Sequence, residues 1–206
     1  MKFTQNDEEQ YILSYFKDTL DGTFISIGEN DGETFSNVRA LALTGRFRGV
    51  MVEPAPIPLE KLRKLYNGHK GFYIYPYAIS TSNGKDTLQV SGSLCSASDS
   101  GLVSTFHPQE MARFKGATPY TPTEVKIFRW KTFYNRLTIK TFDFISIDAE
   151  GSDLDILQQM DLNELKTKCI CLEWNGKTEL KQAYEVYLPE GFNLIYTSAE
   201  NLIYAR

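Results

Sequence analysis

The stretch FISIGENDG, residues 24–32, decides the fold class of this chain. Its first four residues are mostly apolar and predict a short buried strand, and the following run of Gly, Glu, Asn and Asp is typical of a turn. From about Thr34 to Gly45, apolar residues recur at the spacing of a helix, with Phe35, Val38 and Leu41 on one face. A strand, a tight turn and a helix in this order indicate the start of a parallel βαβ unit.

The same alternation continues along the chain and extends the sheet. Further strands are predicted at residues 49–53, 72–79, 125–133, 142–148 and 168–174. Helices are predicted to follow Pro58, Ser152 and Glu179. Residues 193–196 and 202–205 predict an antiparallel hairpin. The sequence therefore predicts an α/β fold, a doubly wound, mostly parallel sheet with helices on both faces and an antiparallel C-terminal hairpin.

The length and the segmentation predict one domain over residues 1–206, because 206 residues are within the usual domain size. Residues 1–22 are expected to contain an N-terminal helix, whose apolar face would carry Tyr11, Ile12, Tyr15, Phe16 and Leu20. Residues 80–123 show little periodicity, and a loop of this length in a compact domain is usually functional. We therefore expect residues 80–123 to form a loop insertion on the substrate side of the site.

Composition narrows the class of protein. A net charge of −4 disfavours a protein that binds nucleic-acid phosphates as its main partner. Three cysteines do not make a disulfide framework, and Cys169 and Cys171 are expected to be buried thiols on one face of a strand. The polar N-terminus lacks a signal-peptide core, and the chain has no apolar run long enough to span a bilayer. We expect a soluble, cytoplasmic protein without a membrane span.

The turn after the first strand and the end of the second strand indicate a ligand. Glycines at 28 and 32 would let a ligand approach the backbone, although a plain strand-to-helix turn explains them equally well. Glu53 ends the second strand, where a carboxylate accepts hydrogen bonds from both hydroxyls of a ribose. The spaced glycines of a pyrophosphate-binding loop are absent. Together these features favour a nucleoside ligand without a pyrophosphate, a description that fits S-adenosylmethionine.

Four segments resemble the FkbM family of S-adenosylmethionine-dependent O-methyltransferases. They are residues 24–37, Val52-Glu53-Pro54, residues 142–151 and residues 171–175. The resemblance implies a class I, Rossmann-like methyltransferase that uses S-adenosyl-L-methionine. One position departs from the family pattern, because Ser26 stands where an acidic residue usually precedes the first glycine of the loop. A contact to the methionine amino group is therefore either lost or supplied by another residue.

The resemblance also implies which residues surround the cofactor. Glu53 would bind the ribose, and Tyr77, Ala78 and Ile79 would flank the adenine. The methionine part would be surrounded by Gly28, Asn30, Thr34 and Ser36. Asp148, at the end of a central strand, would also contact the cofactor.

Carboxylates follow two later strands and are candidates for catalysis. Asp148 could accept the proton of the attacking hydroxyl as a general base, with Glu150 and His107 as rival candidates. Asp148, Glu173 and Asn175 could instead hold a divalent metal ion, Mg²⁺ or Mn²⁺, and hydrogen bonds without a metal are the alternative. Asp153 and Asp155 fall in a first helical turn and are interpreted as capping residues.

The predicted function is transfer of a methyl group to a sugar hydroxyl in a glycan or glycoconjugate. Aromatic and basic residues between 106 and 136 could contact such a carbohydrate acceptor. One alternative is a ribose 2'-O-methyltransferase acting on nucleic acid, which the acidic composition disfavours. The other is a non-catalytic cofactor-binding relative, suggested by Ser26.

Overall fold

The computed structural model describes residues 2–94 and 100–206, so Cys95 lies outside the described residues. The helices are α1 (Glu8–Tyr15), α2 (Arg39–Leu43), α3 (Pro56–Leu65), α4 (Pro108–Arg113), α5 (Trp130–Tyr134), α6 (Asp153–Leu157) and α7 (Thr178–Tyr187). The strands are β1 (Gly22–Ile27), β2 (Phe47–Val52), β3 (Phe72–Tyr75), β4 (Ala78–Ile79), β5 (Gly84–Ser91), β6 (Tyr120–Phe128), β7 (Phe144–Ile147), β8 (Cys169–Glu173), β9 (Asn193–Thr197) and β10 (Asn201–Ala205).

The central sheet has the order β3-β2-β1-β7-β8-β10-β9. Strands β3, β2, β1, β7 and β8 are parallel, and β10 runs antiparallel to both β8 and β9. The chain moves outward from β1 to β3 and later returns to the other side of β1 with β7. The prediction of a doubly wound, mostly parallel sheet with an antiparallel C-terminal hairpin is therefore confirmed. The direction of winding changes between β1 and β7, and a ligand crevice forms at such a switch point.

Alternate residues of the strands form two cores, one on each face of the sheet. Phe24 packs with α1, α2 and α3 on one face, where Ile12, Leu41 and Leu62 are buried. Ile25 packs on the opposite face with residues of α5, α6 and α7. Cys169 and Cys171 are both buried, unpaired and on the α1 face, as their spacing predicted. No helix within the described residues is long and apolar enough to cross a membrane.

The segment between β3 and α5 differs from the prediction. The strand expected at residues 72–79 is divided, and its second part, β4, pairs with β6 in a separate three-stranded sheet of order β4-β6-β5. Residues 80–123, expected to be an irregular loop, contain β5, α4 and the start of β6. Strand β6 ends at Phe128, and the residues after it form α5 rather than a continuing strand. The antiparallel β5–β6 pairing, in which Gly84 faces Ile127, is what orders this segment.

The first crossover helix is shorter than predicted, because the chain after the glycine loop turns before it becomes helical. The carboxylate of Asp31 accepts hydrogen bonds from the backbone amides of Glu33 and Thr34, and Phe35 has a φ of 56°. A bulky residue in the left-handed region interrupts a right-handed helix. The hydroxyl of Ser36 then accepts a hydrogen bond from the amide of Arg39, where α2 begins.

Candidate functional site

A cavity of about 360 Å³ opens at the carboxyl ends of β1, β2, β7 and β8. The predicted site residues that line it are Gly28, Asn30, Thr34, Ser36, Glu53, Ala78, Ile79, Asp148, Glu150, Glu173 and Asn175. They meet because parallel strands with crossover helices present their carboxyl ends at one edge of the sheet. His107 is the exception among the predicted site residues and lines a smaller neighbouring pocket.

Gly28 allows the loop after β1 to pass close to the end of β7. Its φ is 82°, and a Cβ at this position would overlap the backbone carbonyl oxygen of Asp148. Its amide donates a hydrogen bond to the carbonyl of Val52 at 2.9 Å. Glycine is therefore required here both by the backbone conformation and by the close approach of two chain segments.

Glu53 holds the glycine loop against the end of β2. Its side chain is 6% exposed, and its two carboxylate oxygens accept hydrogen bonds from the amides of Asn30 at 2.9 Å and Ala55 at 2.7 Å. Burial raises the pKa of Glu53 to about 7, although the two amides act in the opposite direction. The carboxylate oxygens retain free lone pairs and line the cavity, so Glu53 can still accept hydrogen bonds from a ligand.

The loop that was predicted to surround the methionine part of a cofactor carries an unpaired donor. Asn30 has a φ of 53°, and its buried side-chain nitrogen Nδ2 has no hydrogen-bond partner among the described residues. Thr34 also lines the cavity and donates its hydroxyl to Asp31 at 2.9 Å. A buried polar atom without a partner is uncommon in a folded protein, which makes Asn30 Nδ2 a candidate ligand contact.

Glu29 is a site residue that the sequence analysis missed. It is 3% exposed, lines the cavity, and accepts a hydrogen bond at 2.6 Å from the hydroxyl of Ser36, the residue that had been assigned to the cofactor. Ser26 lies beside the carboxylate, and its hydroxyl acts to lower the pKa of Glu29. Burial raises the pKa of Glu29 to about 7. The available signal was an acidic residue three positions after the serine that departs from the family pattern.

The apolar side of the cavity contains the residues expected near the adenine. Ala78 and Ile79 are buried in β4, and Tyr77 precedes them. The ring of Tyr77 contacts Phe128 edge-on, with the ring centroids 4.9 Å apart. Because β4 belongs to the small sheet, the main sheet and the small sheet each supply one side of the cavity.

Three carboxylates meet at the ends of β7 and β8. One carboxylate oxygen from each of Asp148, Glu150 and Glu173 lies within 4.8 Å of the other two. Burial, followed by the charges of Asp153 and Glu53, raises the pKa of Asp148 to about 7. Burial and neighbouring carboxylates also raise the pKa values of Glu150 and Glu173 well above their usual range. Asn175 lines the same cavity, and its side chain acts to lower the pKa of Glu173, against the larger effect of burial. Such a cluster retains protons at neutral pH or binds a cation.

Glu150 is held in an unfavourable backbone conformation by contacts on both sides. It has a φ of 47°, and its carbonyl accepts a hydrogen bond at 2.7 Å from the hydroxyl of Thr105. Asp153 accepts hydrogen bonds from the amides of Ala149 at 3.0 Å and Gly151 at 3.1 Å. Asp153 thus ties the loop that precedes α6. Non-glycine residues with positive φ occur preferentially at functional sites.

His107 occupies a different position from the other proposed catalytic residues. Its Nε2 lies 2.8 Å from the hydroxyl of Ser152, on the side of the loop that faces the smaller pocket. The Ser152 side chain, at the position before α6, makes no capping hydrogen bond to that helix. The contact with His107 uses the serine hydroxyl instead. In this structure His107 therefore supports the Glu150 loop from outside the cavity.

The outer part of the cavity is formed by the segment between β5 and β6. Phe106 and Phe114 line it, together with Arg113, which is the one basic side chain that lines the cavity within residues 2–94 and 100–206. The guanidinium of Arg113 lies 5.1 Å from the ring centre of Phe114. Glu110 bonds to Arg113 and, at 2.5 Å, to Lys177. These ion pairs attach α4 to the residue that precedes α7.

The fold and the site define a doubly wound α/β domain with a polar ligand cavity at its switch point. The family described as "Methyltransferase FkbM domain" matches residues 26–193. The chain therefore belongs to the FkbM methyltransferase family, as the sequence resemblance predicted. No curated protein matches the sequence significantly.

Solved structures share the fold at low sequence identity. A methyltransferase FkbM from Methylobacillus flagellatus KT is 14% identical with a TM-score of 0.57, over 90% of this chain and 44% of that chain. A methyltransferase from Geobacter sulfurreducens is 9% identical with a TM-score of 0.52, over 99% of this chain and 80% of that chain. A putative RNA methyltransferase from Pyrococcus horikoshii is 12% identical with a TM-score of 0.51, over 97% and 81%. This chain thus spans less than half of the Methylobacillus structure, and the likeness establishes a Rossmann-like methyltransferase fold.

Proposed function

We propose that this chain transfers a methyl group from S-adenosylmethionine to a hydroxyl group of a sugar in a glycan or glycoconjugate. The observation that carries the proposal is one cavity with a nucleoside-type acceptor, Glu53, on one side and a cluster of carboxylates around Asp148 on the other. Membership in the FkbM methyltransferase family implies S-adenosylmethionine as the methyl donor.

The residues of the cavity fit the three parts of S-adenosylmethionine. Glu53 offers carboxylate oxygens for the ribose hydroxyls, and Ala78 and Ile79 offer an apolar surface for the adenine. Asn30 Nδ2, a buried donor without a partner among the described residues, is available for the methionine part. The loop lacks the glycine spacing of a pyrophosphate site, and S-adenosylmethionine has no phosphate to bind.

Asp148 is proposed as the general base. The bound sulfonium supplies an electrophilic methyl carbon. The methyl group would pass to the acceptor oxygen with the sulfur as the leaving group, which keeps the electron pair of the broken carbon–sulfur bond, and Asp148 would accept the hydroxyl proton. A pKa of about 7 leaves a large ionised fraction at neutral pH while keeping the carboxylate basic enough to accept a proton. Glu150 is the nearest rival because it belongs to the same carboxylate cluster.

A metal-assisted version of the same reaction is favoured by the proximity of three carboxylates. Asp148, Glu150 and Glu173 would hold Mg²⁺ or Mn²⁺, and Asn175 adds an amide oxygen on the same side of the cavity. An ion held there would lower the pKa of the acceptor hydroxyl. The ligand set differs from the one predicted from the sequence by the addition of Glu150.

The outer cavity supports a carbohydrate acceptor. Phe106 and Phe114 offer aromatic surface for the apolar face of a sugar ring, and Arg113 offers hydrogen-bond donors. The ribose of a nucleic acid is the second candidate. The carboxylates that line the cavity and the net charge of −4 would repel a polyphosphate chain, which favours the sugar.

The test is transfer of a labelled methyl group from S-adenosylmethionine to a panel of neutral saccharides, nucleotide-linked sugars and RNA. We expect methyl transfer to a saccharide at a rate that does not depend on salt concentration. Preferential transfer to RNA would contradict the proposed acceptor. Each reaction is repeated with a chelator and after addition of Mg²⁺ or Mn²⁺. Loss of turnover that the ions restore supports the metal-assisted version, and unchanged turnover supports Asp148 acting alone.

A further inference from the structure

Glu29 is a buried carboxylate without a cationic partner. The side chain is 3% exposed at the cavity wall, and no ion pair involves it within the described residues. Its carboxylate accepts a hydrogen bond at 2.6 Å from the hydroxyl of Ser36, and Ser26 lies nearby and acts to lower its pKa. The nearby charged groups Asp31 and Glu53 are also acidic. Burying an unpaired carboxylate is costly, so a site of this kind is suited to a positively charged ligand group.

An acceptor without a hydrogen-bond partner among the described residues lies in the same wall. Asn37 is 6% exposed, and its Oδ1 has no hydrogen-bond partner among the described residues, whereas its Nδ2 donates to the hydroxyl of Ser146 at 3.2 Å. Ser146 on β7 and Ser26 on β1 are direct neighbours in the sheet register. Ser26 in turn contacts Glu29, so the two acceptors belong to one connected polar patch.

This patch fits a compact group that carries several donors and a positive charge. A carboxylate and a free amide oxygen are both acceptors, and the two serine hydroxyls can accept as well as donate. An ammonium group has three donors and no acceptor, and therefore complements this set. S-adenosylmethionine carries one such group on its methionine part.

We propose that Glu29 binds the α-ammonium group of S-adenosylmethionine and replaces the acidic side chain that the family pattern places at position 26. This inference rests on the proposed function. Ser26, at the end of β1, and Glu29, in the loop that follows, line the same cavity, and Ser26 lies close enough to Glu29 to act on the pKa of its carboxyl group. The carboxylate therefore reaches the place of residue 26 from the loop instead of from the strand. The negative charge that the family pattern places at position 26 is thus supplied from position 29, which argues against a loss of cofactor binding.

The experiment compares two ligands that differ only in this group. Calorimetry is performed with S-adenosylhomocysteine and with its deamino analogue, in which hydrogen replaces the α-amino group. Binding is measured for the parent protein, for Glu29→Gln and for Glu29→Ala. We expect Glu29→Gln to weaken S-adenosylhomocysteine binding by about tenfold or more, the scale of a lost charge-assisted hydrogen bond, and to leave the deamino analogue within about twofold.

A charge-relocation variant keeps the test independent of folding defects. We expect Ser26→Asp combined with Glu29→Ala to bind S-adenosylhomocysteine more tightly than Glu29→Ala alone. Thermal unfolding of each variant confirms that it is folded. An equal loss for both ligands, or unchanged S-adenosylhomocysteine binding in Glu29→Gln, would overturn the inference while leaving the proposed function intact. A parent protein that binds neither ligand would overturn the proposed function and the inference together.

Discussion

Replacing Glu53 by alanine separates the proposed binding role of this residue from its structural role. In the folded protein the carboxylate accepts hydrogen bonds from the amides of Asn30 and Ala55, at 2.9 and 2.7 Å. The substitution Glu53→Ala removes both acceptors and also removes a buried charge. The two consequences have opposite signs for the stability of the ligand-free protein.

The magnitudes of these two effects are similar at neutral pH. Leaving a buried amide donor without a partner costs about 1–3 kcal/mol, and two amides are affected. A pKa raised from 4.5 to about 7 means that ionising Glu53 in the folded state costs 2.5 times about 1.4 kcal/mol, or about 3–4 kcal/mol, a cost that alanine removes. We therefore expect the free energy of unfolding to fall by no more than about 3 kcal/mol.

For cofactor affinity, unlike stability, we expect no second effect that offsets the loss. Loss of charge-assisted hydrogen bonds to the ribose should weaken S-adenosylmethionine binding by about 1–3 kcal/mol, or about 5- to 150-fold. Calorimetric titration with S-adenosylhomocysteine measures the affinity, and urea unfolding of the same samples measures stability. Glu60→Ala, an exposed substitution on α3, is the matched control and should change neither quantity.

Two results would refute this reasoning. If a folded Glu53→Ala protein bound the ligand as tightly as the parent, Glu53 would not contact the ribose. If the protein failed to fold, the two amide contacts would be worth far more than the cost of the buried charge, and the role of Glu53 would be chiefly structural.

Three further outcomes are expected. Asp148→Asn should reduce turnover by about 100-fold or more while cofactor binding persists. The control Asp155→Asn, at an exposed position, should have near-normal turnover. Normal turnover in Asp148→Asn would show that Asp148 is not the base. Gly28→Ala should lower the free energy of unfolding by about 2–4 kcal/mol. The control Gly68→Ala should lower it by about 1 kcal/mol, because Gly68 has a similar φ of 79° but open space around it. Equal losses in the two variants would show that the contact with Asp148 is unimportant. The free energy of unfolding of the ligand-free protein, measured in urea, should fall as pH rises from about 4.5 through 7. The pKa values of the buried carboxyl groups of Glu29, Glu53 and Asp148 are raised to about 7, so these groups stabilise the fold only while they are protonated. A free energy of unfolding that is flat or rises over this range would contradict the prediction.

The sequence alone was sufficient for the main sheet and for most of the cavity. The strands β1, β2, β7 and β8 are short apolar runs followed by polar turns, and both signals are local. Once parallel strands are inferred, their carboxyl ends must meet, so Gly28, Glu53, Asp148 and Glu173 could be assigned to one site without coordinates. The confirmed family membership covers residues 26–193, a range that contains all four of these residues.

Tertiary structure alone decided the features that depend on distant pairings and on side-chain direction. The segment over residues 80–123 has weak periodicity, and its sheet exists because Gly84 pairs with Ile127, far along the chain. His107 follows a loop whose course is set by that sheet, and it therefore lies outside the cavity. Glu29 lies beside Ser26 because the glycine at 28 has a φ of 82° and turns the chain, a conformation that hydrophobic periodicity does not encode. Periodicity reports which face of a regular element is buried, whereas a side chain on a turn is directed by the individual dihedral angles of the turn.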